Sequence, residues 1–349
     1  MNSKKNPLSF QLDVSDFLPA EESEKQSLVV MRESVNFWRD GFRRLRKNKV
    51  AMISLAVIIF IMIFAFVLPS FYPYSYEQQI RGSENLGIMQ YSEEELARKA
   101  AGEKVFPHFL GTDSLGRDTT IRLMMGSRIS LLVGLVASAI ILIIGSTYGA
   151  ISGYFGGKID MIMMRIVDVI YTIPDILIII LLSVTLKYPL RDLAANVKGF
   201  AWIDIVGVGL ISIFIVFSLL YWVGMSRIVR SQILSLKEQD YVTAAKALGA
   251  SHGRIIRKHL LTNAIGPLIV TTTLQIPSAI FTESFLSFIG LGVSAPMPSL
   301  GSMASQALNG IRSYPHRLLA PAIMISIIIL SFNLLGDGLR DAFDPKLKD

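Results

Sequence analysis

The stretch VAMISLAVIIFIMIFAFVL occupies residues 50–68 and contains no charged side chain. A helix of about 20 apolar residues crosses a hydrocarbon core of roughly 30 Å, so this run is long enough to span a bilayer. Its unbroken apolarity differs from the alternating pattern of a membrane β-barrel strand. Because backbone polar groups in lipid need internal partners, the stretch predicts a transmembrane helix.

Five further windows have the same character, and the composition agrees with a membrane protein. Hydrophobic residues make up 52% of the 349-residue chain, and charged residues make up only 17%. We therefore expect an all-α integral membrane protein with six transmembrane helices. The predicted spans lie near 50–68, 129–151, 166–186, 205–225, 264–289 and 318–336.

The distribution of positive charge predicts that both termini lie in the cytoplasm. In that topology the cytoplasmic pieces carry 22 of the 34 Lys and Arg residues, and the outer pieces carry 12. Such an excess of Lys and Arg is typical of cytoplasmic loops. The first span follows the basic run RRLRKNK at 43–49 and lacks a cleavage pattern, so it is expected to be a retained anchor.

The segments between the spans have different expected roles. Val35, Trp38, Phe42 and Leu45 share one helical face among basic residues, which predicts an interfacial amphipathic helix. The long outer segment contains a helix-like patch, and it either packs on the spans or contacts an outside partner. The predicted division is a cytoplasmic tail at 1–49, a first span at 50–68, an extracytoplasmic segment at 69–124, a membrane core at 125–338 and a cytoplasmic tail at 339–349.

Several spans contain polar or small residues. Asp168 and Asp175 lie in the third span and Glu283 in the fifth. Charged side chains within a bilayer face protein or water rather than lipid. The candidates for lining or bracing a pathway are Asp175, Gln275 and Glu283. The second span also carries a ladder of glycines at spacing four, for which close helix packing is the favoured interpretation.

The chain is not expected to be an enzyme. It has no cysteine, no HExxH or GxSxG motif and no GxxxxGK[ST] phosphate-binding loop. Its four histidines are scattered without metal-ligand spacing. No cofactor is expected on this chain, and any ATP it uses must be held by another chain.

The stretch EQDYVTAAKALGASHGRIIRKHLLTN at 238–263 lies between two spans and predicts two helices separated by Gly249. Val242, Ala245 and Leu248 are expected to share a face of the first helix. Its small residues leave a flat surface that suits the groove of a partner. The alternative is a basic loop resting on lipid headgroups, but the first helix lacks the bulky apolar anchors that lipid binding requires.

This stretch resembles the cytoplasmic coupling loop of ABC importer permeases, whose pattern is Glu-Ala-Ala-x-x-x-Gly, nine residues, then Ile-x-Leu-Pro. The chain matches at Ala244, Ala245, Gly249 and Leu261, and departs at Thr243, His259 and Thr262. Three further stretches are similar to the dipeptide and oligopeptide permease group, specifically its "C" type subunit. They are HFLGTDSLGRD at 108–118, FTESFLSFIGLGVSAP at 281–296 and NLLGDGLRDAFDPKL at 333–347.

The resemblance implies the type I permease fold and a subunit of an ATP-driven oligopeptide importer in a bacterial cell membrane. Implied partners are a second homologous permease subunit forming a heterodimer, two ABC ATPases that bind ATP and Mg²⁺, and an extracytoplasmic peptide-binding protein. Nucleic acid is not among them. The implied coupling loop is 226–263. Its ATPase-coupling interface comprises Thr243, Ala244, Ala245, Leu248, Gly249, Ala250 and Arg254.

Two alternatives belong to other classes. A proton-driven secondary carrier would use Asp168, Asp175 and Glu283 as a relay and would need no ATPase. An intramembrane hydrolase would need an aspartyl or serine motif that the spans do not contain.

Overall fold

A computed structural model describes residues 37–343 apart from Ser294. Within that range the chain is helical, without strands. The helices are α1 (Phe37–Lys47), α2 (Lys49–Phe66), α3 (Glu93–Ala100), α4 (Thr119–Phe155), α5 (Gly157–Thr172), α6 (Asp175–Asn196), α7 (Trp202–Val206), α8 (Val208–Leu220), α9 (Trp222–Leu236), α10 (Asp240–Ala247), α11 (His252–Arg254), α12 (Leu261–Asn263), α13 (Ile265–Phe288), α14 (Leu300–Ala307) and α15 (His316–Phe343). A π-helix, Ile255–Leu260, joins α11 to α12.

Five segments of the described chain are long and apolar enough to cross a membrane, and a sixth is added if the bent pair α5–α6 is one span. The five are Lys49–Ser70, Thr119–Phe155, Val208–Leu236, Ile265–Phe288 and His316–Phe343. The prediction of an all-helical membrane protein is therefore confirmed.

The third predicted span, 166–186, is not one straight helix. Helices α5 and α6 meet at an angle of 85°. Ile173 between them is extended, with φ −86° and ψ 133°, and Pro174 precedes the first turn of α6. The proline ring disfavours helical backbone at the preceding residue, so the helix must end there.

Helix α4 is the centre of the bundle and packs on α2, α8, α9 and α13. Its glycine ladder faces α9, as predicted for a packing motif. A Cβ at Gly149 would collide with the carbonyl oxygen of Ser226. A Cβ at Gly145 would lie 2.6 Å from Met225, and one at Gly153 would lie 2.9 Å from the carbonyl oxygen of Arg230. Because these glycines have no side chains, the two helix backbones come into close contact.

The first and last described helices meet at one end of the bundle. Gly41 of α1 packs on the ring of Phe343 at the end of α15. Leu45 of the predicted amphipathic face is buried against Phe343 and Ala342, whereas Phe42 is exposed. Val35, which was predicted for the same face, lies outside the described residues.

The connection between α2 and α4 packs on the ends of the helices. Its short helix α3 begins with a capping box in which Ser92 and Glu95 bond reciprocally to each other's backbone. Asn85 accepts a hydrogen bond of 2.8 Å from Arg317 of α15. Asp118 caps α4 by accepting from the backbone of Ile121 at 2.9 Å. Asp113 closes a turn by accepting from the backbone of Leu115 and Arg117.

Candidate coupling hairpin and polar sites

The hairpin formed by residues 240–263 begins with α10 and turns at Gly249. The backbone N–H of Ala250 donates to the carbonyl of Ala245, and that of Gly249 donates to Lys246, each at 3.0 Å. These two bonds form a Schellman cap, which requires a left-handed residue after the helix. Gly249 has a φ of +78°, so the predicted glycine turn is confirmed.

One face of α10 is fixed to the membrane helices. Val242 is fully buried and Ala245 is 8% exposed. Both belong to an apolar cluster that includes Tyr154 of α4, Met225 of α9 and Leu260 of the π-helix. The buried face of α10 therefore shares one apolar core with residues of α4 and α9.

The opposite face and tip of the hairpin are open. Thr243, Ala244, Gly249 and Arg254 are exposed, and Ala250 is half-buried. Leu248 is 88% exposed, so its predicted place on the face of Val242 and Ala245 is wrong. The reason is that Leu248 is the C-cap of α10, where the chain leaves the helix and turns. The hairpin therefore presents small residues with one large apolar side chain at its tip.

Polar contacts also tie the hairpin to α4. The hydroxyl of Tyr154 and Nδ1 of His252 lie 2.8 Å apart. The ammonium of Lys246 lies 5.8 Å from the centroid of the Tyr154 ring. Tyr154, near the C-terminal end of α4, thus contacts both helical arms of the hairpin.

Glu283 of α13 is fully buried at a junction of helices. Its carboxylate accepts hydrogen bonds of 2.7 Å from Ser130 of α4 and from Ser287. The Ser287 hydroxyl accepts in turn from the backbone of Val293 at 3.0 Å. A buried carboxylate is costly unless hydrogen-bonded, and these hydroxyl donors meet that need.

The other two candidate pathway residues have different surroundings. Asp175 is exposed at the start of α6, where it lines a cavity of about 450 Å³ together with Pro174 and Tyr221. The hydroxyl of Tyr221 lies 2.9 Å from that of Thr282, which precedes Glu283. Gln275 is half-buried on α13. Asp175 thus shares a cavity with Tyr221, and it is Tyr221 that contacts α13 beside Glu283.

Asp168 of α5 forms an ion pair of 2.8 Å with Arg227 of α9, and the Arg227 guanidinium also lies over the Tyr171 ring. Among the residues that the structure describes, no hydrogen bond joins Asp168, Asp175 and Glu283. The three acids of the carrier alternative therefore do not form a continuous hydrogen-bonded relay in this state.

Sequence reasoning missed a buried cluster around His108. Its Nδ1 lies 2.7 Å from Asp118 and its Nε2 lies 3.2 Å from Glu95. Burial alone would lower the pKa of His108, but the hydrogen bonds and charges of the two carboxylates raise it above its ordinary value. The Tyr74 ring stacks on the imidazole with centroids 4.5 Å apart. The sequence feature that could have predicted this cluster is a histidine in the 108–118 motif with acidic residues before and after it along the chain.

The described chain is thus an all-helical bundle of membrane-length helices with a small-residue hairpin at one end. Residues 145–349 match the family described as binding-protein-dependent transport system inner membrane component, and the chain belongs to that family. Residues 36–87 match the N-terminal TM domain of oligopeptide transport permease C.

Similar proteins cover nearly the whole chain. The oligopeptide transport system permease protein OppC of Bacillus subtilis is 40% identical over 95% of this chain and 97% of its own length. The dipeptide transport system permease protein DppC of the same species is 42% identical over 95% and 93%. OppC of Escherichia coli is 34% identical over 90% and 93%.

These findings confirm the resemblance stated from the motifs. Members of this family are membrane permeases rather than enzymes, and the bacterial inner-membrane location is confirmed. The family description also indicates dependence on a binding protein.

Proposed function

We propose that this chain is the "C" type permease subunit of an ATP-driven oligopeptide importer. It forms the translocation pathway with a second homologous permease, and two ATPases hold ATP and Mg²⁺. An extracytoplasmic peptide-binding protein delivers the substrate. The curated relatives support the substrate class, since their names include oligopeptide and dipeptide transport.

The coupling role is supported by the hairpin, which has one buried face and one exposed face. Val242 and Ala245 bury one face of α10 in an apolar cluster that also contains residues of α4 and α9, while Ala244 and Leu248 remain exposed for a partner. A small-residue helix with an exposed leucine suits an apolar cleft on an ATPase. ATP-driven closure of the ATPases would move α10 and tilt the helices fixed to it, which is a rigid-body route to alternating access.

The same arrangement supports a cytoplasmic position for both termini. Helix α2 runs from the end of the bundle that holds α1 and Phe343 to the 67–118 connection, and α4 returns from there to the hairpin. Helix α1, the end of α15 and the hairpin therefore share one side of the bundle. The excess of Lys and Arg on that side supports its assignment to the cytoplasm.

The sharpest test places a charge on the free face of the hairpin. Leu248→Glu and Ala244→Glu should each abolish co-purification of the ATPases and peptide uptake in proteoliposomes, because a carboxylate would have to enter an apolar cleft. Both positions are exposed, so the chain itself should still insert and fold.

A matched control is Ile88→Glu, which changes an exposed apolar residue in the 67–118 connection. It should leave co-purification unchanged. Normal ATPase binding by both hairpin variants would refute the coupling role. Uptake that persists without ATP and collapses with an uncoupler would instead favour the proton-driven carrier.

A further inference from the structure

A cavity of about 520 Å³ opens between the 67–118 connection and the helices α14 and α15. It lies at the opposite end of the bundle from the coupling hairpin. Arg117 and Arg122 line one side of it, Gln306 lies on α14, and Arg317 is at the start of α15. None of the motifs interpreted above assigns a role to this cavity.

The walls of the cavity carry more positive than negative charge. Arg122 and Arg317 are only 3% and 8% exposed. Asp113 is the one carboxylate among the described lining residues, and it bonds Arg117 at 2.7 Å and lies 3.6 Å from Arg122. Buried charges are normally paired. Three guanidinium groups therefore line a cavity that contains one carboxylate among the described lining residues.

Arg317 has unused hydrogen-bonding capacity. One of its terminal nitrogens, Nη1, donates to Asn85 at 2.8 Å, and the guanidinium lies over the Tyr314 ring at 4.0 Å. Its Nε and Nη2 are buried and have no hydrogen-bond partner among the described residues. The Thr119 hydroxyl, which also lines the cavity, is likewise without a partner.

The geometry of the free atoms indicates the missing partner. Nε and Nη2 lie on the same edge of a guanidinium and together bind both oxygens of a carboxylate. Arg230 of this chain makes that arrangement with Asp160, where Nε reaches one carboxylate oxygen and Nη2 reaches the other. Arg317 presents the same edge without an acid of its own.

We propose that this cavity binds a carboxylate group of an incoming ligand, with Arg317 as the bidentate partner. The chemistry fits the C-terminal carboxylate of a peptide or an acidic side chain of a docked protein. The peptide as the source rests on the proposed function, whereas the carboxylate site does not. Gln306 accepts from Arg117 at 3.2 Å and Arg122 at 3.0 Å, and holds those two side chains around the cavity.

Titrations of the full chain in lipid nanodiscs test the site without any ATPase. The probes are trialanine, trialanine with an amidated C-terminus, glutarate and inorganic phosphate. Trialanine should bind, and its amide should bind at least about tenfold more weakly, because one charge-assisted hydrogen-bonded pair is lost. If trialanine binds more tightly than glutarate, the site recognises a peptide terminus. If the two bind equally, the site recognises carboxylates in general.

Two substitutions test where in the chain trialanine binds. Arg317→Gln should weaken trialanine binding by about tenfold or more, while the matched control Arg312→Gln, five residues earlier and exposed, should not. Equal binding of acid and amide, phosphate binding as tight as that of trialanine, or equal losses in both variants would overturn the proposal. Loss of uptake in Leu248→Glu would leave this titration unchanged, so the two proposals fail separately.

A second variant tests the site in the case that Arg317→Gln does not fold. Gln306→Glu supplies a carboxylate from within the chain, beside Arg117 and Arg122. If the cavity lacks negative charge, Gln306→Glu should raise the Tm of the chain and weaken trialanine binding. A lowered Tm with unchanged trialanine binding would contradict the proposed site.

Discussion

The hydroxyl of Tyr154, near the end of helix α4, lies 2.8 Å from Nδ1 of His252 in the hairpin. These residues are 98 positions apart, and their bond joins a membrane helix directly to the proposed coupling element. Tyr154→Phe removes that bond and keeps the ring. We expect it to lower the peptide transported per ATP hydrolysed while ATPase binding persists, because a looser hairpin transmits less movement.

The measurement is the ratio of uptake to ATP hydrolysis in proteoliposomes. Tyr148→Phe is the matched control, since that hydroxyl bonds a carbonyl of α5 at 2.8 Å and does not reach the hairpin. An unchanged ratio in Tyr154→Phe would show that the apolar contacts of Val242 and Ala245 transmit the movement alone.

The crossing of α4 and α9 should be sensitive to a single methyl group. Gly149→Ala places a Cβ against the carbonyl oxygen of Ser226, so the helices must separate. Overpacking of this kind costs about 1–3 kcal/mol. Gly224→Ala on α9 meets no atom within 4 Å and should be neutral or stabilising. Thermal unfolding of the detergent-solubilised chain separates the two, and equal Tm values would contradict the packing interpretation.

Glu283 is expected to brace the bundle rather than carry substrate or protons. Glu283→Gln should lower the Tm, because an amide replaces one of the oxygens that accept from Ser130 and Ser287. Transport per folded molecule should stay near normal. Asp175→Asn, at an exposed position, should leave the Tm unchanged. A transport rate that collapses in Glu283→Gln at unchanged Tm would assign Glu283 to the pathway.

The His108 cluster should make the stability of the 67–118 connection depend on pH. The folded state raises the pKa of His108, so its stabilisation is complete below the unfolded value of about 6.5. It is lost as the pH rises through the raised pKa. The protection of the α3 amides, taken relative to the intrinsic exchange rate at each pH, should therefore fall across this range, and His108→Gln should remove that fall. The control His252→Gln changes a histidine outside the cluster, and an identical pH profile in His108→Gln and the unaltered chain would contradict this account.

Local sequence was sufficient for the membrane-helix class, the family motifs and the turn at Gly249. These features depend on contiguous apolar runs or on the conformation that one residue can adopt. The bend at Pro174 was also accessible in principle, because a proline limits its neighbour whatever surrounds it. The exposure of Leu248 could not be predicted from the sequence. Helical periodicity assigns Leu248 to a helical face, although it lies at the end of α10, where the chain leaves the helix.

By itself, the sequence determined that apolar helices cross a membrane and that a small-residue hairpin with a glycine turn lies between two of them. Only the tertiary structure decided which polar groups meet. Ser130 and Glu283 are 153 residues apart, and Asn85 and Arg317 are 232 apart. Such pairs arise from helix packing between distant segments, and no local pattern of residues records which helices pack together.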